Sequence, residues 1–196
     1  LDAYYKYQLE NEDKSLKKGT GYRLVENILK INSFFSSDER QVEVIILSKN
    51  NAATSLRITN AINDLKLDII RSAWTSGTNI SNYLKAFKVD LFLSADDNDV
   101  LNAIENGVAA AKILPSNENI HNSSNNQVRI AFDGDAVLFS EESELVYKNN
   151  GLDAFIEHEK LNKDNPLEMG PFAKLLLTIA KIQAKFPTDK SPIRTA

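Results

Sequence analysis

Short, largely apolar segments alternate with amphipathic ones along this 196-residue chain, and that alternation restricts the fold more than any other feature. Residues 42–47, 89–94 and 128–132 have the length and the β-branched character of strands. Between them, apolar residues recur at helical spacing. Strands that lack polar alternation are typical of parallel sheets buried on both faces. The pattern therefore predicts an α/β fold with a doubly wound parallel sheet.

Composition excludes several kinds of protein. The chain has no cysteine, which rules out a disulfide framework and a thiolate metal site and fits a reducing cytoplasm. Its net charge is −4 and it has no long basic run, so we expect no nucleic-acid polymer as partner. No apolar stretch reaches the length of a membrane span. Homo-oligomerisation is left open.

An internal repeat relates the two ends of the chain. Residues 1–45 align without a gap with residues 152–196, at 13 identical positions, where ordinary composition gives roughly three by chance. The repeat predicts a duplicated set of strands and helices. The first unit, residues 1–116, would lack its first strand; residues 117–127, rich in Asn and Ser, would form a linker; and residues 128–196 would begin a second unit. The chain is thus expected to be an internal part of a longer protein.

Two aspartates follow the apolar run at residues 128–132. Asp133 and Asp135 flank Gly134, where a buried strand would open into a loop. A carboxylate in that position can attack phosphorus, and a second one can exchange a proton with the leaving oxygen. A Mg²⁺ ion held by both would neutralise the phosphate. The alternative is an Asp-Gly-Asp turn without chemistry, since both residue types favour turns.

Other polar residues lie at predicted strand ends or helix starts. Ser48 is a candidate phosphate ligand or a simple cap, and Lys85 is a candidate phosphate-neutralising lysine or a residue of a solvated helix face. Asp96 and Asp97 are candidate metal ligands, or else an N-cap cluster for the helix that follows. In residues 162–170, which repeat residues 11–19, Asn165 and Gly170 belong to a candidate substrate-covering loop or to a helix–loop–helix turn.

These strings resemble the cytosolic 5′-nucleotidase type I-like family of the haloacid dehalogenase superfamily. The resemblance rests on VEVIILSKN at 42–50, YLKAFKVDLFLSADD at 83–97, RIAFDGDAVLFSEE at 129–142 and NKDNPLEMGPF at 162–172. It implies a cytoplasmic, magnesium-dependent enzyme that hydrolyses nucleoside 5′-monophosphates. By motif match, Asp133 would be the nucleophile, Asp135 the acid and base, and both would be metal ligands.

The resemblance leaves open which residues serve Asp133. Family members continue beyond the position of Ala196 into a further strand, a lysine and an acidic pair. In one alternative, those downstream residues complete the site. In the other, the Asp133 strand takes the place of the missing first strand, as in a circular permutant, and the site is completed by Ser48, Lys85, Asp96 and Asp97. Two other functions also stay open: a truncated or degenerate member that binds nucleotides or a partner without turnover, and a sugar-phosphate phosphatase on the same scaffold.

Overall fold

The computed structural model describes residues 2–115 and 126–196, except for the side chains of residues 135 and 136. The chain divides into two compact units. The first consists of Leu1–Lys88 with Lys112–Val128, and the second of Val89–Ala111 with Arg129–Ala196. Each unit is described separately below. No described helix is both long and apolar enough to cross a membrane.

The first unit is built around a parallel pair of strands. Strands β1 and β2 align Ile45 with Arg71 and Ser48 with Trp74, and α3 connects them, as expected for a parallel crossover. Leu29, Ile31 and Leu84 are among the apolar side chains buried in this unit. Its elements are α1 (Asp2–Glu10), α2 (Tyr22–Lys30), β1 (Ile45–Ser48), α3 (Leu56–Asp64), β2 (Arg71–Trp74) and α4 (Ser81–Ala86).

Two further strand pairs, β3 with β4 and β5 with β6, lie in the second unit except for Lys112 of β4 and Val128 of β5. Ala196, just after β6, donates to the carbonyl of Ile130 and accepts from the amide of Phe132, which is the bonding pattern of parallel strands. Helix α7 buries Leu175, Ile179 and Ile182 on one stripe. The elements are β3 (Phe92–Ser94), α5 (Asp97–Glu105), β4 (Ala110–Lys112), β5 (Val128–Ile130), α6 (Glu142–Asn162), α7 (Ala173–Gln183) and β6 (Ile193–Thr195).

The repeat in the sequence is also present in the hydrogen bonds. Helix α2 begins at Tyr22 and α7 at Ala173, which are equivalent positions. In the first unit the Asn11 side chain donates to the carbonyl of Tyr7 at 2.7 Å; in the second, the Asn162 side chain donates to the carbonyl of His158 at 3.0 Å. The turns that follow match as well. Lys14 donates to Asn11, and Asn165 to Asn162. The two copies of this segment therefore fold alike.

Helix α6 breaks where the second copy of the repeat begins. Gly151, the residue before Leu152, has φ 83° and ψ −177°, which is not helical. Such a conformation favours glycine because a Cβ would be strained there. The sequence pattern predicts two helices, at 141–149 and 152–159, and the break at Gly151 divides α6 between them, although α6 itself runs from Glu142 to Asn162.

The predicted α/β class with parallel strands is confirmed. The hydrogen-bonded strands found in the described residues form three separate pairs, and most are shorter than the apolar runs that predicted them. The compact units follow spatial contacts whereas the predicted domains follow the repeat, so the boundaries 1–116 and 128–196 stay a prediction. Most of the predicted linker, 117–127, lies outside the described residues.

Candidate functional site

Asp133 lies in the loop that follows β5. The amide of Phe132, just before it, still donates to the carbonyl of Ala196, which follows the partner strand β6, at 2.9 Å. Asp133 has extended backbone angles (φ −71°, ψ 153°), and its Oδ1 accepts a hydrogen bond from the amide of Gly134 at 2.7 Å. The residue is exposed. Its carboxylate is therefore fixed by one local bond and accessible from solvent.

The backbone after Asp133 makes a single wide helical turn. Residues Gly134–Leu138 form one turn of π-helix, closed by a bond from the amide of Phe139 to the carbonyl of Gly134 at 3.0 Å. On the strand side, the Phe132 ring packs edge-on against the Phe172 ring, with centroids 6.4 Å apart. Wide turns of this kind are rare and occur often at functional sites. The loop thus has a defined shape on both sides of Asp133.

A second backbone segment holds this turn. The amide of Gly170 donates to the carbonyl of Leu138 at 2.8 Å, and the amide of Phe172 donates to Val137 at 3.0 Å. On the far side, Ser140 donates to the carbonyl of Glu168 at 2.8 Å. Phe139 and Met169 form an antiparallel bridge between the two segments. We call the segment 168–172 the clamp, because its backbone fixes the loop that begins at Asp133.

The predicted substrate-covering residues lie in two different settings. Gly170 is part of the clamp. Asn165 is in the turn after α6, where its amide donates to the carbonyl of Asn162 at 2.8 Å and its side chain donates to Asn162 Oδ1 at 3.2 Å. The turn interpretation of residues 162–170 is thus supported for Asn165, while a covering role for either residue stays a prediction.

Asp96 and Asp97 lie between β3 and α5. Asp96 is the N-cap of α5: its Oδ1 accepts from the amide of Asp99 at 3.0 Å, and its own amide donates to Ser94 Oγ at 3.1 Å. Asp97 is in the first turn of the helix, where a negative charge is favourable. The capping interpretation has direct support for Asp96, and metal binding by this pair stays a prediction.

Ser48 and Lys85 belong to the first unit. Ser48 is the last residue of β1, and its Oγ accepts from the amide of Asn50 at 3.2 Å, as in a local cap. The loops after β1 and β2 are joined by a bond from Gly77 to the carbonyl of Lys49 at 2.7 Å. Lys85 is exposed on α4, which buries Leu84. Their predicted roles in phosphate binding, and the circular-permutant arrangement around Asp133, stay predictions.

Residues 2–115 and 126–196 contain no group of three or more acidic or histidine side chains arranged so that it could hold a metal ion. The side chain of Asp135 is not among those described. A metal site formed by Asp133 with Asp135 is accordingly untested, and so is one that includes Asp96 and Asp97.

Comparison with known proteins decides the family. The sequence model of the 5′-nucleotidase family matches residues 1–196, the whole chain. The chain belongs to the 5′-nucleotidase family. It is 34% identical, over 203 aligned residues, to human cytosolic 5′-nucleotidase 1B. That alignment covers 100% of this chain and 33% of the relative, so the chain spans about a third of that relative's length. No solved structure matches it.

Membership of the 5′-nucleotidase family confirms the resemblance read from the four sequence strings. The sequence did not reveal the clamp, since Phe139 and Met169 are far apart along the chain and neither belongs to a predicted strand. Gly170 is one of the identical positions of the repeat, paired with Gly19, but that identity belongs to the turn that both copies share and does not indicate the clamp.

Proposed function

We propose that the protein containing this chain is a cytosolic, magnesium-dependent 5′-nucleotidase that hydrolyses nucleoside 5′-monophosphates, with Asp133 as nucleophile. One observation carries the proposal. An exposed aspartate follows a parallel strand, in a loop of defined shape, within a chain that matches the 5′-nucleotidase family over its whole length. Carboxyl ends of parallel strands are where α/β folds place their sites.

Asp133 and Asp135 have complementary roles in the proposed reaction. An Asp133 oxygen attacks phosphorus, the bond from phosphorus to the nucleoside 5′-oxygen breaks, and the Asp135 carboxyl group gives its proton to that oxygen. Water then attacks the phosphorus of the aspartyl-phosphate while the Asp135 carboxylate takes a proton from it. Inorganic phosphate leaves, and both carboxyl groups return to their starting forms.

The residues present suit a magnesium ion. Carboxylate oxygens are its preferred protein ligands, and it usually retains several waters while binding one or two carboxylates and the substrate phosphate. An exposed Asp133 meets that requirement without a cluster of three acids. When bound, the ion would offset the repulsion between the carboxylate and the phosphate. We propose Asp133 and Asp135 as its ligands, with Asp96 and Asp97 as further candidates; the capping role of Asp96 competes with metal binding.

Phosphate release from a panel of nucleoside monophosphates and sugar phosphates, with and without Mg²⁺, tests the proposal. The assay should use the full-length natural protein, with the 196-residue chain run beside it. Asp133→Asn should lower kcat by at least about a thousandfold, because the amide cannot act as nucleophile. Asp153→Asn, which changes an exposed aspartate on α6, is the matched control and should retain wild-type activity.

The outcomes separate the functions considered. Turnover of nucleoside monophosphates that disappears in Asp133→Asn supports the proposal. Faster hydrolysis of sugar phosphates would favour the sugar-phosphate phosphatase instead. A full-length protein that binds nucleotides and releases no phosphate would identify a non-catalytic member. Activity that is unchanged in Asp133→Asn would refute the assignment of the nucleophile.

A further inference from the structure

Gly170 is in unusually close contact with the loop that begins at Asp133. A Cβ built on Gly170 would lie 2.5 Å from the carbonyl oxygen of Val137 and 2.9 Å from the carbonyl carbon of Leu138, and it would also meet the carbonyl oxygen of Phe139. Real Cβ atoms essentially never come closer than 3.0 Å to another heavy atom. All three obstacles are backbone atoms, which cannot rotate away as a side chain can. Only glycine allows the two backbones to approach this closely.

The equivalent glycine of the first unit is free of this crowding. Gly19 and Gly170 occupy the same position of the repeat, and each accepts the same bond, from Tyr22 at 3.0 Å and from Ala173 at 3.2 Å. A Cβ on Gly19 would meet no described atom within 4 Å. The shared turn therefore does not explain the crowding at Gly170. The contact with the loop after Asp133 explains it.

The clamp holds the turn after Asp133 through backbone bonds, while the ring of its last residue, Phe172, packs against Phe132 before Asp133. The backbone bonds of the clamp reach Val137, Leu138 and Ser140. The hydrogen bond that the structure gives the Asp133 side chain is the one from the amide of Gly134. The side chains of Met169 and Phe139 are 74% and 44% exposed, so packing between them cannot be what fixes the loop. A change in the separation of the two backbones would move the turn and, with it, the start of the loop.

We propose that Gly170 is a positioning residue for the 5′-nucleotidase reaction: by letting the clamp approach closely, it holds the Gly134–Leu138 turn and thereby sets the position of the Asp133 carboxylate. This inference rests on the proposed function. It differs from the substrate-covering interpretation of Gly170, because a covering loop contacts the substrate whereas the clamp acts on the nucleophile.

Kinetics of Gly170→Ala and Gly19→Ala in the full-length protein distinguish these roles. If Gly170 positions the nucleophile, Gly170→Ala should lower kcat for a nucleoside monophosphate by about a hundredfold with KM little changed, since a displacement of about 1 Å can cost that much. Gly19→Ala, the matched control, should keep wild-type kcat and KM. A rise in KM with kcat retained would overturn the proposal in favour of substrate contact, and wild-type kinetics would overturn it outright.

Amide hydrogen exchange gives a readout that does not depend on activity. In the full-length protein, Gly170→Ala should speed exchange in residues 137–140 and 168–172, because the Cβ forces the bonded backbones apart. Gly19→Ala should leave those residues protected. Unchanged protection in Gly170→Ala would overturn the inference even if the wild-type enzyme were inactive, so its failure is distinguishable from failure of the proposed function.

A second pair of variants covers the case in which Gly170→Ala does not fold. Met169→Gly loosens the backbone of the clamp without adding any atom, and Met169→Ala removes the same exposed side chain with less backbone freedom. We expect Met169→Gly to have a kcat several-fold below that of Met169→Ala. Equal kcat values for the two variants would overturn the proposal.

Discussion

At the scale of single residues, Asp96 has two competing roles that substitution can separate. Its carboxylate caps α5 through the amide of Asp99. Asp96→Ala should lower the free energy of unfolding by about 1 kcal/mol because the capping bond is lost. Asp96→Asn should retain wild-type stability, since asparagine caps helices equally well. Urea unfolding of the three proteins measures both effects.

Asp96→Asn also tests whether Asp96 binds a metal. If capping is its only role, Asp96→Asn should leave both the activity and its dependence on Mg²⁺ concentration at wild-type levels in the full-length protein. A large rise in the Mg²⁺ concentration needed for half-maximal activity, in a variant of unchanged stability, would instead identify Asp96 as a ligand.

Sequence predicted the location of Asp133 and could not predict its surroundings. A carboxylate after an apolar strand follows from residue order alone, and the exposed Asp133 in the loop after β5 agrees with it. The crowding at Gly170 depends on two segments that meet only after folding. A glycine that is needed for space has no local sequence signature when its backbone angles are ordinary, unlike Gly151 with its φ of 83°.

At the scale of elements, an ion pair joins the neighbouring strands of the first unit. Arg71 is the first residue of β2, and Glu43 lies just before β1. The Nε of Arg71 donates to Oε1 of Glu43 at 2.5 Å. This hydrogen bond is the largest influence that lowers the pKa of Glu43 below its ordinary value, and the charge of Arg40 adds a smaller one. Arg71 also lies over the Phe87 ring, 5.2 Å from its centroid.

Removing Arg71 should therefore raise the pKa of Glu43. In Arg71→Met we expect an NMR titration of the Glu43 carboxyl group to move back towards 4.5, its reference value. Arg40→Met, the control, should move it much less. Because the pKa is lower in the folded state than in the unfolded one, the pair stabilises the fold at neutral pH, and that stability is lost as pH falls through the folded-state pKa. A Glu43 titration that is identical in Arg71→Met and the wild-type chain would contradict this account.

Element types were predictable here and element lengths were not. The apolar run at 42–47 predicted a strand, yet regular pairing begins at Ile45 and continues to Ser48. Periodicity records which residues are buried, whereas pairing depends on where the neighbouring strand begins, and β2 begins at Arg71. Strand β6 was missed by periodicity because it has no apolar run: Arg194 and Thr195 are polar and Pro192 precedes the strand. The repeat indicated it, since residues 193–195 are equivalent to 42–44 in a predicted strand.

At the scale of the whole molecule, the duplication explains why distant parts of the chain share the same local structure. The two copies keep a helix, the turn after it and the start of the next helix at equivalent positions, although only 13 of 45 residues are identical. One of the identical residues is the asparagine at the end of the first helix of each copy, Asn11 after α1 and Asn162 at the end of α6. Because the same bond occurs in both copies, we expect its loss to have the same kind of effect in both.

Asn11→Ala and Asn162→Ala should both destabilise the chain. Each removes a side-chain donor to the carbonyl four residues earlier, and the net value of such a bond is about 1 kcal/mol. Asn162→Ala should cost at least as much as Asn11→Ala, because the second bond is partly buried and the first is exposed. Asn149→Ala, on an exposed position of α6, is the control and should be neutral or slightly stabilising, since alanine has the higher helix propensity. Urea unfolding followed by circular dichroism measures all three. If Asn11→Ala were as stable as the control while Asn162→Ala were not, the shared bond would stabilise only one copy. An identical residue in the two copies would then not mean an equal contribution to stability.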